Sequence, residues 1–274
     1  MDVGTGLALL GSVRIIEKML GPTAEYFGEG LKAIAVRRVA NIRRIFDFAI
    51  RKLGAQIDSS GSVPARVLGY VINEGSYCND ELTAEYFGGI LASSRSGISR
   101  DDRGAHFARL VAGLSTYQVR LHYVLYRILR VKFAGPRAKI GHTAVRSAMS
   151  TFVPYKNIEK GLAIVDGEEF ATILDHAAFG LADATLITNL SYGNGKDLPD
   201  WTGRLENGVC FSPTVRGVEL FMWAHASGDR DVLDFLTPNF DFDPVPGVVI
   251  DLDGVTRKCE VLPDTDKSES YGGF

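Results

Sequence analysis

The sequence predicts a mainly α-helical protein, an N-terminal helical bundle followed by a small winged-helix-like α+β module. Three observations lead there. Apolar residues recur at helical spacing through the first half, capping signals stand in front of each such run, and strand-like stretches are short and confined to the second half. The expected division is 1–133 for the bundle, 134–237 for the winged-helix-like module, and 238–274 for a short β hairpin and a flexible tail.

Gly21-Pro22-Thr23-Ala24-Glu25 puts proline at a first helical position with an acid in the first turn, and the helical pattern then runs to Leu53-Gly54. Leu31, Ile34, Ala35, Val39, Ile42, Ile45, Phe46, Ala49 and Leu53 share one face, while Arg37, Arg44 and Arg51 recur every seven residues on the opposite side. After Ser59-Ser60-Gly61-Ser62 a shorter helix is predicted over 64–73. Asn79-Asp80-Glu81 caps another over 81–93, and a further one covers 101–112. Ser115 with Gln118 three residues on forms a capping box, so the next helix starts at Thr116 and continues to Val131.

Ala134-Gly135-Pro136 breaks this texture. A helix is expected near 137–149; Asp166-Gly167-Glu168-Glu169 opens another to Ala178, and a second runs from Leu181 to Ser191. Gly193-Asn194-Gly195 and Gly203 mark a long loop, Val209-Cys210-Phe211 a strand, and 213–226 and 229–236 two more helices. Helices, a turn-rich excursion and another helix follow one another in this order in winged-helix units. Beyond Pro238, Val248–Leu252 and Thr256–Leu262 are expected to pair as a hairpin about the turn Asp253-Gly254, with a mobile tail from Asp264.

TAEYFG occurs twice, at Thr23–Gly28 and Thr83–Gly88. Glycine inside a helix costs about 1 kcal/mol relative to alanine, so Gly28, Gly30, Gly88 and Gly89 read as positions where another helix packs closely.

The net charge of −3 conceals a split: residues 1–160 carry 23 Lys+Arg against 13 Asp+Glu, and residues 161–274 carry 7 against 20. Either the basic half meets an external anion, or the two halves attract each other. On the helix from Thr116 the apolar face is Tyr117, Leu121, Val124, Leu125, Ile128 and Val131. Arg120, Tyr123, Arg127 and Arg130 fall opposite, followed by Lys132, Arg137, Lys139 and Arg146. Basic residues interleaved with an aromatic suit phosphate contact with base stacking, and a solvated or internally paired face is the plainer alternative.

Catalytic and metal motifs are missing from the sequence. Cys78, Cys210 and Cys259 form no CxxC pair, which supports neither a disulfide framework nor a zinc site and points to a reducing cytoplasm. His106, His122, His142, His176 and His225 are isolated, and no nucleophile or phosphate-cradle string occurs. Val248-Val249-Ile250-Asp251-Leu252-Asp253-Gly254-Val255 resembles the first motif of haloacid-dehalogenase-type phosphatases, but it stands near the end of the chain rather than at the opening of an α/β domain. No catalytic residue, metal or cofactor is expected. The longest early apolar stretch, Gly6–Val13, is too short to cross a bilayer.

The segments assembled so far resemble the bacterial abortive infection alpha family. The likeness lies in Leu20-Gly21-Pro22-Thr23-Ala24-Glu25, in Ser62-Val63-Pro64, in Asn79-Asp80-Glu81-Leu82 with Gly89-Ile90-Leu91-Ala92-Ser93-Ser94, and in Leu114-Ser115-Thr116-Tyr117-Gln118. Ala184-Thr185-Leu186-Ile187 and Ser212–Phe221 follow in the same order. The resemblance implies a role in bacterial defence against phage and carries over no catalytic residue. Three modes of action stay open: the basic helical half binds nucleic acid, the 21–53 helix lies on a membrane surface, or the TAEYFG helices bind a protein partner or self-associate.

Overall fold

The computed structural model describes residues 32–98, 100–135, 137–203, 206–240 and 242–263. The first TAEYFG copy with Gly28 and Gly30, the helix start at Gly21 and the tail from Asp264 lie outside the described residues. The chain is mainly α-helical with a small four-stranded antiparallel sheet. It forms two compact units, one built within Met1–Thr116 and Met222–Asp229, the other within Tyr117–Phe221 and Arg230–Phe274.

The first unit contains helices α1 (Lys32–Leu53), α2 (Ala65–Gly75), α3 (Glu81–Ser94) and α4 (Gly104–Ala112). α3 starts where the sequence places it, because the Asp80 side chain accepts the Thr83 N–H at 2.9 Å and the Thr83 hydroxyl at 3.0 Å. It is buried almost all round, which accounts for its lack of a polar face. Against it lie Ile45, Phe46, Phe48, Ala49 and Leu53 of α1, so from Ile45 onward the apolar stripe of α1 is covered.

The second TAEYFG copy makes that contact possible. A Cβ on Gly88 would stand 2.6 Å from Phe48 Cβ and 2.9 Å from Ile45 O, and one on Gly89 would collide with the carbonyl of Ala224. Between the same helices the carboxylate of Glu85, 2% exposed, is met by Arg51 and by Lys52 Nζ at 2.9 Å. A buried carboxylate without those cations would carry a desolvation penalty of several kcal/mol.

The second unit is organised about α5 (Thr116–Lys132), followed by α6 (Thr143–Ala148), β1 (Thr151–Pro154), α7 (Tyr155–Leu162), α8 (Phe170–Asp183), β2 (Ile187–Gly193), β3 (Gly208–Pro213), α9 (Val215–Ala224) and β4 (Thr256–Arg257). α9 ends in Met222–Ala224, which count with the first unit. The sheet order is β2-β3-β1-β4, with Thr151 opposite Phe211 on one side and Arg257 on the other.

Four local expectations are corrected. The helix expected from Leu181 to Ser191 is a strand instead: Thr185 turns left-handed at φ 57°, Leu186 N–H closes α8 by donating to Leu181 O at 2.8 Å, and the chain leaves extended to pair with β3. The helix expected at 229–236 shrinks to the single 3₁₀ turn Val232–Asp234 under its Asp231 cap, and that near 137–149 to Thr143–Ala148. The 248–262 hairpin does not form. Gly254 makes the expected turn at φ 74°, but Thr256–Arg257 pairs with β1, and Asn157 Nδ2 donates to the carbonyls of Asp251 (2.9 Å) and Asp253 (2.8 Å).

α5 is the core of this unit. Two of its buried polar side chains meet backbone groups: His122 Nε2 lies 3.1 Å from Gly217 O, and the Tyr126 hydroxyl donates to Leu186 O at 2.6 Å while accepting Thr214 N–H at 3.2 Å. Phe221 stacks on Tyr126 at 6.1 Å, and Phe235, Phe240 and Phe242 each meet Phe221 edge-on.

Two outcomes follow for stability. Gly89→Ala is expected to destabilise by about 1–3 kcal/mol through overpacking. Gly69→Ala, on an open face of α2 with nothing within 4 Å of the added Cβ, should instead stabilise by about 0.5–1 kcal/mol in urea unfolding. Burial, opposed by the bond to Gly217, pushes His122 down from 6.5 to about 3. The unfolded ring therefore binds its proton first, so stability is complete above pH 6.5 and falls as pH drops toward 3, by up to about 1.4 kcal/mol per pH unit. His122→Gln should flatten that part of the stability profile.

Candidate interaction surfaces

The arginine face of α5 is engaged in holding the second unit together. Arg130 donates to Leu236 O at 2.7 Å, Thr237 O at 2.6 Å and Phe240 O at 2.7 Å, with its guanidinium 5.6 Å from the centre of the Phe240 ring. Half-buried Arg127 lies 4.7 Å over Phe242. Tyr123, expected opposite the apolar face, is 1% exposed: its ring stacks on Phe221 at 6.1 Å and its hydroxyl accepts Val245 N–H at 2.9 Å. Val131, expected inside, is 46% exposed. The helix is buried on both sides of its pattern, and two-sided periodicity alone gave the wrong outer face.

Arg120 is half-buried, and Lys132 gives its carbonyl to Arg257 Nη1 at 2.7 Å. Arg137 pairs with Asp231 at 3.1 Å and Asp234 at 2.8 Å, and Arg146 closes on the carbonyls of Ile140 and Gly141 at 2.7 and 2.6 Å. Lys156 meets Asp253 and Lys160 meets Asp251, each at 2.6 Å.

The charge split is thereby largely resolved within one unit. Residues 117–160 carry 9 basic side chains against 1 acidic, and the acidic excess follows them in 161–274. Divided at the boundaries of the compact units, the sequence carries 14 Lys+Arg against 13 Asp+Glu on one side and 16 against 20 on the other.

On α1 the ridge is also partly committed. Arg51 meets Glu85 and lies 4.8 Å over the Phe48 ring, and Arg44 donates to Asn79 O at 3.4 Å. Arg38 donates to Ser76 Oγ at 2.9 Å beneath the exposed ring of Tyr77, and Arg37 is exposed.

A surface that charge counting missed lies on α7, α8 and β2. Residues 161–195 contain five Asp+Glu and no Lys or Arg. The rings of Tyr155 and Phe170 meet edge-on at 5.5 Å, and those of Phe179 and Tyr192 at 5.7 Å. Burial, then a hydrogen bond to Asp175, holds the Tyr192 phenol above its ordinary value. Burial followed by the charges of Tyr192, Asp175 and Asp197 does the same for Tyr155. Phe179 is 50% and Val165 63% exposed, so aromatic and aliphatic surface stands open beside carboxylates. The sequence signal for this surface was the 35-residue run without a cation.

Nucleophilic chemistry finds little support in the cysteines: burial pushes Cys78 and Cys210 each up to about 11, where the thiol stays protonated at neutral pH. Among the described residues no group of three or more His, Cys, Asp or Glu is placed to hold a metal, and no helix is long and apolar enough to cross a membrane.

Compared with known proteins, the chain matches no family model, no curated protein and no solved structure.

Removing Arg130 leaves three carbonyls without a charged donor, so Arg130→Ala is expected to cost about 3 kcal/mol or more in denaturant unfolding. Arg127→Glu should cost about 1–2 kcal/mol through the lost ring contact.

Proposed function

We propose that this chain acts by binding a protein partner, through a winged-helix module in its second unit, in the phage-defence setting that the family resemblance implies. The winged-helix reading is supported by the order helix, strand, helix, helix, strand, loop, strand over Thr143–Pro213, and by the placement of β3 between β1 and β2. In that reading α8 is the recognition helix and 194–203 part of the wing.

The single observation that carries the choice of partner is the composition of α8. A helix that tracks DNA needs cations for the phosphates, because neutralising phosphates supplies most of the affinity. α8 has none, and its exposed positions are Ala171, Thr172, Asp175, His176, Phe179 and Asp183. An apolar ring bordered by carboxylates fits a protein segment that offers Lys or Arg beside aliphatic surface. The arginines that would otherwise argue for nucleic acid, Arg127 and Arg130, are held by Phe242 and by three carbonyls.

The test compares wild type with Phe179→Asp and with Arg37→Glu. Cells carrying the wild-type chain should reduce phage plating, and Phe179→Asp should abolish that protection and weaken partner association by at least about tenfold, with Arg37→Glu unchanged. Filter binding to duplex DNA and RNA should show no salt-sensitive association. Salt-sensitive binding that survives Phe179→Asp and is lost in Arg37→Glu would instead favour a nucleic-acid role.

A further inference from the structure

A cleft of about 510 Å³ opens in the second unit, lined in part by Lys132, Trp201, Thr202, Thr256, Arg257 and Glu260. It is within the size range of small-ligand sites. Its walls come from the end of α5, the 3₁₀ turn Asp200–Thr202 and the β4 strand, which the β1 pairing fixes at the sheet edge.

Two features of its chemistry point to the same class of ligand. Arg257 and Lys132 both act on the Glu260 carboxylate, Arg257 through Nε at 3.1 Å and through Nη2, and together they hold it below its ordinary pKa. Glu260 is 80% exposed and only three residues along the chain, so its pairing is screened by solvent and yields to a better anion. Its carboxylate occupies the position where a phosphate would sit, since an arginine fork accepts carboxylate and phosphate in the same geometry.

Trp201 supplies a flat ring on the same cleft and is itself seated on the buried cluster of Phe152, Leu198 and Cys210, which fixes its plane.

We infer that this cleft binds a mononucleotide, its phosphate taken by Arg257 and Lys132 in place of Glu260 and its base laid against Trp201. The inference does not rest on the α8 surface, which uses none of these residues.

Isothermal titration calorimetry of the full chain with adenosine monophosphate, ribose 5-phosphate and inorganic phosphate tests it. The expected result is saturable binding in the order adenosine monophosphate, ribose 5-phosphate, phosphate. Glu260→Gln should tighten the first about threefold or more by removing the internal competitor, and Lys132→Ala should weaken it about tenfold. Trp201→Leu should erase the preference for the nucleotide over ribose 5-phosphate. Thermal unfolding of Glu260→Gln should match wild type, so a change in affinity would not report misfolding. Absence of heat with millimolar nucleotide, equal binding of nucleotide and inorganic phosphate, or an unchanged or weakened affinity in Glu260→Gln would overturn the inference.

Discussion

The second unit depends on one constraint: α5 is buried while carrying tyrosines, a histidine and an arginine whose polar atoms must all be satisfied. A buried donor left alone costs roughly 1–3 kcal/mol, and more if it is charged. Many of the partners are backbone groups drawn from distant segments. Gly217 O receives His122, Leu186 O receives Tyr126, Val245 N donates to Tyr123, and the carbonyls of 236, 237 and 240 receive Arg130. Long sequence separations are closed by these contacts, so irregular segments near 185, at 236–240 and near 245 are held in place without regular secondary structure of their own.

Electrostatics follows from the same arrangement. A basic stretch of sequence need not be a basic surface when an acidic and carbonyl-rich stretch folds over it. Lys156 and Lys160 on successive turns of α7 face Asp253 and Asp251, and Arg137 faces Asp231 and Asp234. These pairs are largely exposed and each adds little stability. They set carboxylates of the same unit against the cations of 137–160, leaving 161–195 as the more distinctive charged stretch of this unit.

The sequence made the first unit legible where local signals decide structure. Asp80 caps α3 as its side chain requires, the α1 stripe from Ile45 to Leu53 is buried, and Gly88 and Gly89 lie where neighbouring backbone comes too close for a Cβ. The start of α5 at Thr116 was equally plain. Legibility failed where tertiary pairing overrode local pattern. Ile187–Gly193 is apolar and polar in mixed order, and only its partner β3 makes it a strand. Likewise α5 has polar residues opposite its apolar face and so scans as amphipathic, whereas Tyr123 and His122 are buried through contacts that no window of sequence contains. Of the basic candidates on α5, Arg127 and Arg130 are engaged within the unit, which is the internally paired alternative, and the acidic-aromatic surface on α8 was passed over because carboxylates and isolated rings are individually commonplace.

Arg127 and Arg130 of α5 are spent on the fold. Arginine-selective modification of the native chain with phenylglyoxal, mapped by peptide mass analysis, addresses this directly. Arg37 should react rapidly, whereas Arg127 and Arg130 should stay unmodified until denaturant unfolds the chain. Modification of Arg127 and Arg130 in the native protein at the rate of Arg37 would contradict the account.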